Sequence, residues 1–88
     1  PIMLAVWEGW LRNNLVAAGN SKDKTLLPII VNILAGHPSP MVRRHAAWAV
    51  SHLDPASSCS MLHDILQTEE DESVQQIINT IMEISGFE

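Results

Sequence analysis

Apolar positions recur along this chain at intervals of three and four, the spacing of one helix face. Met3, Leu4, Trp7, Leu11, Leu15 and Ala18 form the first such stripe, which Gly19-Asn20-Ser21 is expected to end through a left-handed glycine. A second helix is expected over about residues 23–35, with Leu27, Ile30, Val31 and Leu34 inward and Pro28 near its first turn. Gly36-His37-Pro38-Ser39-Pro40 is a tight connection in which Ser39 caps and Pro40 opens a third helix to about residue 53. That helix carries Val42, Ala46, Ala49, Val50 and Leu53, and Asp54-Pro55 closes it. Helices over about 57–67 and 71–84 follow, the last stopped by Ser85-Gly86. No segment alternates with period two. The pattern predicts an all-α protein.

The helices also repeat. Leu11-Arg12-Asn13 matches Val42-Arg43-Arg44, Val42 matches Val74, and Ile33-Leu34 matches Ile65-Leu66, at offsets of 31 or 32 residues. Two helices per such period describe a hairpin that stacks on copies of itself, with Ala46, Ala47 and Ala49 allowing close crossings. Residues 1–88 then form one domain: a half repeat (1–21), a full repeat (22–53), and a full or capping repeat (54–88). The expected architecture is an α-solenoid fragment of about five antiparallel helices, with an apolar face left at the half repeat.

Length and composition narrow the function. Eighty-eight residues, 47% apolar and 17% charged, allow one globular domain and little room for a cofactor pocket. One cysteine, Cys59, excludes an internal disulfide and a cysteine-based metal site. No apolar run is long enough to span a bilayer, no signal peptide is visible, and a cytoplasmic excerpt of a longer protein is expected. The charge of −5 is unevenly spread. Residues 1–53 hold all five bases against two acids, a net +3, whereas residues 54–88 hold eight acids and no base, −8. That asymmetry points to an anionic partner for the first half.

Leu27-Pro28, Val42-Arg43 and Ala46-Ala47 resemble the HEAT-like repeat pattern. The strings Leu11-Arg12-Asn13-Asn14-Leu15-Val16-Ala17-Ala18-Gly19-Asn20-Ser21 and His37-Pro38-Ser39-Pro40-Met41-Val42-Arg43-Arg44-His45-Ala46-Ala47-Trp48-Ala49 resemble the C-terminal HEAT-like region of epoxyqueuosine reductases. The resemblance covers residues 10–53 well. It implies a parent oxidoreductase of queuosine-tRNA biosynthesis that carries 4Fe-4S clusters and cobalamin. The family's cluster-binding cysteines have no counterpart here, so no catalytic, metal or cofactor residue transfers. It implies for this chain an accessory module that holds the tRNA anticodon arm against the catalytic domain of the parent chain. The alternative is a protein–protein scaffold fragment with no nucleic-acid role.

The residues expected to contact RNA are Arg44, Arg43, Arg12, His45, Lys22 and Lys24. Arg12 and Arg43 occupy equivalent repeat positions, where they either meet phosphate or bridge to the turn of the next repeat, Asp71 being the acid within reach of Arg43. Arg44 sits one residue off that position. Lys22 and Lys24 lie at the opposite edge, where the alternative is simple solvation. His45 either bonds RNA or a carbonyl, and Trp48 either stacks a base or packs between hairpins. Trp7 and Trp10 are either core or interface. His45 and His52 are two turns apart, too far for one zinc ion. Cys59 with His63 reads as a buried thiol rather than a nucleophile, and Glu69-Glu70-Asp71-Glu72 as acids on the last helix dipole. No convergent acid, base or nucleophile set is present, so no catalysis is expected of this chain alone.

Overall fold

A computed structural model describes residues 2–84 of the chain. Among them are five α-helices and one 3-10 turn: α1 (Ile2–Ser21), the turn Lys24–Leu26, α2 (Leu27–Gly36), α3 (Pro40–Leu53), α4 (Pro55–Leu66) and α5 (Glu72–Ile84). No strand occurs among the described residues. The expected stop at Ser85-Gly86 lies outside them.

Local chemistry accounts for most boundaries. Ser39 accepts from the Val42 amide at 3.4 Å, and Pro40 occupies the first helical position, where its missing N–H costs nothing. Asp54 closes α3 through its amide, bonded to the Val50 carbonyl, and opens α4 by accepting from the Ser57 amide. One residue thus serves two helices. Pro55 begins α4, two residues earlier than expected, because proline at the first position helps a helix start.

The first boundary differs from expectation. Gly19 does not end α1; it is buried within the helix, which runs on to Ser21. Lys22 takes the left-handed turn instead, with φ 63°. The reason is packing. A Cβ on Gly19 would stand 2.5 Å from Cζ3 of Trp48 and 3.2 Å from the Ala49 Cα, so glycine is needed for α1 to pass α3, not for a turn. A second departure concerns the first apolar stripe. Leu15 is buried and Leu11 and Ala18 half-buried, but Met3, Leu4 and Trp7 are exposed.

Helix α3 is the centre. It packs against α1, α2, α4 and α5, and α4 also packs against α5. Its Val42, Ala46, Ala47, Ala49 and Val50 have no exposed surface at all, as four neighbours require. Ile30 and Leu34 of α2, Leu62 of α4, and Val74, Ile78 and Met82 of α5 complete one core. Helices α1, α3 and α5 form a layer in which they run parallel: Gly19 meets Trp48 and Ala49, and Arg44 meets Ser73. Spacings of about 29 residues across these contacts are the spatial form of the sequence repeat. Helices α2 and α4 form the second layer. No helix among the described residues is long and apolar enough to cross a membrane.

Candidate nucleic-acid interface

Of the six residues expected to meet RNA, three (Arg43, Arg44 and His45) are half-buried and bonded within the fold. The Arg43 guanidinium donates from Nε to Glu69 Oε1 at 2.9 Å and from Nη2 to Glu69 Oε2 at 3.0 Å. Its Nη1 donates to the His37 carbonyl at 2.6 Å. Both side chains are largely buried, 15% and 5% exposed, so a single arginine ties the α2–α3 turn to the α4–α5 turn. The acid is Glu69 and not Asp71. Asp71 caps α5, accepting from the amides of Ser73 and Val74 and from the Ser73 hydroxyl. The Ser73 hydroxyl chiefly holds its carboxyl below the usual range; the two amides and the nearby Arg43 charge assist, against a partial desolvation.

The clamp repeats with a different residue. Thirty-two positions after Arg43 stands Gln75, and thirty-two after His37 stands Glu69. Gln75 Nε2 donates to the Glu69 carbonyl at 2.7 Å, as Arg43 does to His37. Each second helix thus holds the turn before it through a side chain six residues on. Sequence reasoning missed Gln75; its register with Arg43 was the available signal.

Arg12 holds the equivalent place on α1 but lacks both partners. Helix α1 is continuous through Val6, so no turn carbonyl is exposed there, and His37, at the place of Glu69 one repeat earlier, offers no carboxylate. Arg12 therefore lies at the surface beside Asn13, whose Oδ1 accepts from Nε and Nη2 at 3.3 Å. It also lies in the middle of its helix, whereas Arg43 lies in the first turn of α3.

The remaining residues fall into two groups. Lys22 and Lys24 are exposed on the turn between α1 and α2, about 15 Å along α1 from Arg12 at ~1.5 Å per residue. Asp23 between them accepts from the Thr25 hydroxyl at 2.6 Å and the Thr25 amide at 3.0 Å, and the hydroxyl chiefly lowers its pKa. Arg44 and His45 are half-buried on α3. Arg44 Nη1 donates to Ser73 Oγ at 2.8 Å, and His45 Nδ1 lies 2.8 Å from the Met41 carbonyl. With Val16, Trp48 and Ile77 they line a groove of about 340 Å³ across α1, α3 and α5. Trp48 packs over Gly19 on one side and stacks at 4.1 Å on His52 on the other. Trp7 and Trp10 are exposed and meet edge to face at 5.4 Å.

A 4Fe-4S cluster takes four thiolates. This chain has one cysteine, Cys59, buried in α4, so its residues do not fit a cluster. No group of three or more His, Cys, Asp or Glu that could hold a metal ion occurs among the described residues.

Comparison with known proteins agrees with this geometry. The HEAT repeats family matches residues 12–81. An uncharacterized protein in the gldA 3′ region of Geobacillus stearothermophilus is 33% identical over 67 residues, 76% of this chain and 31% of that protein. The epoxyqueuosine reductase of Listeria monocytogenes is 31% identical over 70 residues, 80% of this chain and 18% of the enzyme. That of Bacillus subtilis is 29% identical over 73 residues, 83% of this chain and 19% of the enzyme. The chain thus spans less than a third of the length of these relatives. No solved structure matches it. Stacked hairpins, parallel second helices and a recurring turn clamp are what the matched family's repeats share in this chain, and the chain belongs to the HEAT repeat family, in a form related to part of the epoxyqueuosine reductases.

Proposed function

We propose that this chain is a non-catalytic, cytoplasmic repeat module of an epoxyqueuosine reductase-like protein, and that it helps hold the tRNA anticodon arm against a catalytic part elsewhere in that protein. The observation that carries the reading is relatedness to those enzymes over most of this chain but about a fifth of theirs. The chain's charge supports it: the bases sit in the first half, and the −8 of residues 54–88 would repel phosphate from the other end. Clusters and cobalamin belong to the remainder of such an enzyme in this reading.

Among the six expected contacts, Arg12, Lys22 and Lys24 are the exposed ones, and they supply the phosphate-facing charge in this proposal. Arg44 and His45 act as a second row on α3. Arg43 holds the turns. The test is the salt dependence of binding to an anticodon stem–loop RNA, titrated between about 50 and about 200 mM salt. Three phosphate contacts give a log–log slope of about −2 to −3, at ~0.7–0.9 per contact. Arg12→Ala, Lys22→Ala and Lys24→Ala each reduce that slope by about one contact. A slope near zero, or no binding at low salt, overturns the proposal.

The exposed apolar side chains of α1 favour a second reading, a surface for protein contact. In that case binding would be insensitive to the three bases and sensitive to Trp7 and Trp10.

A further inference from the structure

The guanidinium of Arg44 is half-buried yet only partly engaged. Its Nη1 donates to Ser73 Oγ at 2.8 Å. The Ser73 hydroxyl donates in turn to the Asp71 carboxylate, which the Ser73 and Val74 amides also hold. Nε and Nη2 of Arg44 have no hydrogen-bond partner among the described residues. Arg43, one residue before, has all three nitrogens engaged by Glu69 and His37. His45 shows the same division as Arg44. A carbonyl only accepts, so the Nδ1 beside the Met41 carbonyl carries the proton, and Nε2 has no partner among the described residues. A guanidinium fixed at one nitrogen and open at two others is prepared to receive an anion.

These groups open on the groove of about 340 Å³ that Val16, Trp48 and Ile77 complete. That volume is near the lower end of the ~300–1,000 Å³ of small-ligand sites, so it suits one ring-sized group and not a helix. The lining holds a cation, an imidazole, an indole and two aliphatic chains, and no acid. Asp71 stands behind Ser73, outside that lining. Trp48 is itself held, against Gly19 of α1 and on His52 at 4.1 Å, so its ring loses little freedom when a ligand lies on it. Past Trp48 a second groove, about 480 Å³, continues along Ser51, His52 and Thr80, and Trp48 and Ile77 line both. At the other end Arg12 lies four residues, or ~6 Å, before Val16 on the same side of α1.

We infer that this groove takes one unpaired nucleotide of an RNA strand, with its base against Trp48 and its phosphate on Nε and Nη2 of Arg44. Stacking on an aromatic ring holds single strands whatever their sequence. A duplex cannot offer that contact, because its bases are stacked on one another. His45 Nε2 is an acceptor in the same groove for an amino group on the base edge. Arg12 meets the adjoining phosphate on one side, and the groove past Trp48 receives the adjoining base on the other. Ser73 is a positioning residue: it fixes Arg44 and touches no ligand. The inference rests on the RNA reading above, and adds that α3 meets an unpaired nucleotide and not the paired backbone of a stem.

The test uses the whole chain carrying Trp7→Phe and Trp10→Phe, which leaves Trp48 as the sole tryptophan. Oligouridylate, a blunt RNA duplex of the same length and an anticodon stem–loop are titrated separately, and Trp48 emission and RNA anisotropy are followed. The single strand is expected to quench Trp48 saturably and to bind about tenfold tighter than the duplex, although the duplex carries twice the phosphate charge. Arg44→Gln weakens the single strand about tenfold and Ser73→Ala about threefold, and neither changes duplex binding. Equal or tighter binding of the duplex, with Trp48 unquenched, overturns the inference and leaves the anticodon-arm reading standing. Quenching by the single strand without binding of the stem–loop does the reverse. No binding of any of the three RNAs overturns both. Tighter quenching by a phosphotyrosyl peptide also overturns the inference, because the groove would then serve a protein partner.

Discussion

Arg43 shows how one side chain is taken from the surface by its neighbours. With Nε and Nη2 on Glu69 and Nη1 on the His37 carbonyl, its donors are committed to two turns. Removing one partner of a largely buried pair leaves the other charge desolvated, so Arg43→Ala is expected to cost about 3–5 kcal/mol in urea unfolding. Arg43→Lys recovers little, since an ammonium lacks the planar fork that meets a carboxylate and a carbonyl together. Arg12→Ala should leave stability within about 0.5 kcal/mol, because Arg12 is exposed. Asp71 supplies the pH dependence. Its folded pKa is depressed, so its contribution is fully present above the unfolded value near 3.8 and is lost as pH falls through the lower folded value. Stability should therefore drop on acidification below about pH 4, and Asp71→Asn should flatten that part of a pH–Tm profile. The sequence showed an acidic cluster and an arginine able to reach it, but choosing Glu69 over Asp71 required the turn. Asp71 is needed at the α5 N-terminus, where amides await a cap.

At the scale of elements, caps were legible and crossings were not. Ser39-Pro40 marks the start of α3 to the residue, because a cap is a local hydrogen bond that neighbours in sequence supply. Gly19 has the local signature of a helix stop, yet α1 continues past it, because the approach of Trp48 and Ala49 decides what that glycine is for. Gly19→Ala gains helix propensity of about 1 kcal/mol but must push aside a tryptophan ring and a backbone atom, and overpacking costs about 1–3 kcal/mol. A net loss of about 1 kcal/mol is expected in thermal unfolding, recovered when Trp48→Leu is added. Lys22 bears the left-handed turn that glycine was expected to take. Lys22→Gly should stabilise the chain by about 1 kcal/mol, the cost of a Cβ in that region. The same substitution removes a charge, so the RNA titration and the melting curve should move in opposite directions.

For the whole molecule, one core runs from Leu15 of α1 through α3 to Met82 of α5. Because every other helix packs on α3, hairpins are not expected to unfold separately, and far-UV circular dichroism and Trp48 emission should follow coincident transitions in urea. Leu62→Ala, which empties a fully buried site in α4, should lower that common transition by about 2–5 kcal/mol. Split transitions would instead mark the hairpins as independent units.

The sequence by itself determined the all-α class, the five helices, the central stripe of α3 and the repeat of just over thirty residues. Those follow from periodicity and capping, which are properties of neighbours along the chain. Tertiary structure alone decided which apolar residues are covered and which charges remain at the surface. Met3, Leu4 and Trp7 carry the same spacing as a core stripe, but burial needs a facing helix, and the described residues place none over them. Arg12 and Arg43 share a repeat position, yet only Arg43 finds a turn carbonyl and a carboxylate, because α1 runs straight through where a turn would be and His37 stands in the acid's place. The same residue type at the same repeat position thus yields a structural clamp in one repeat and a surface charge in the one before it, the difference lying in what packs against it.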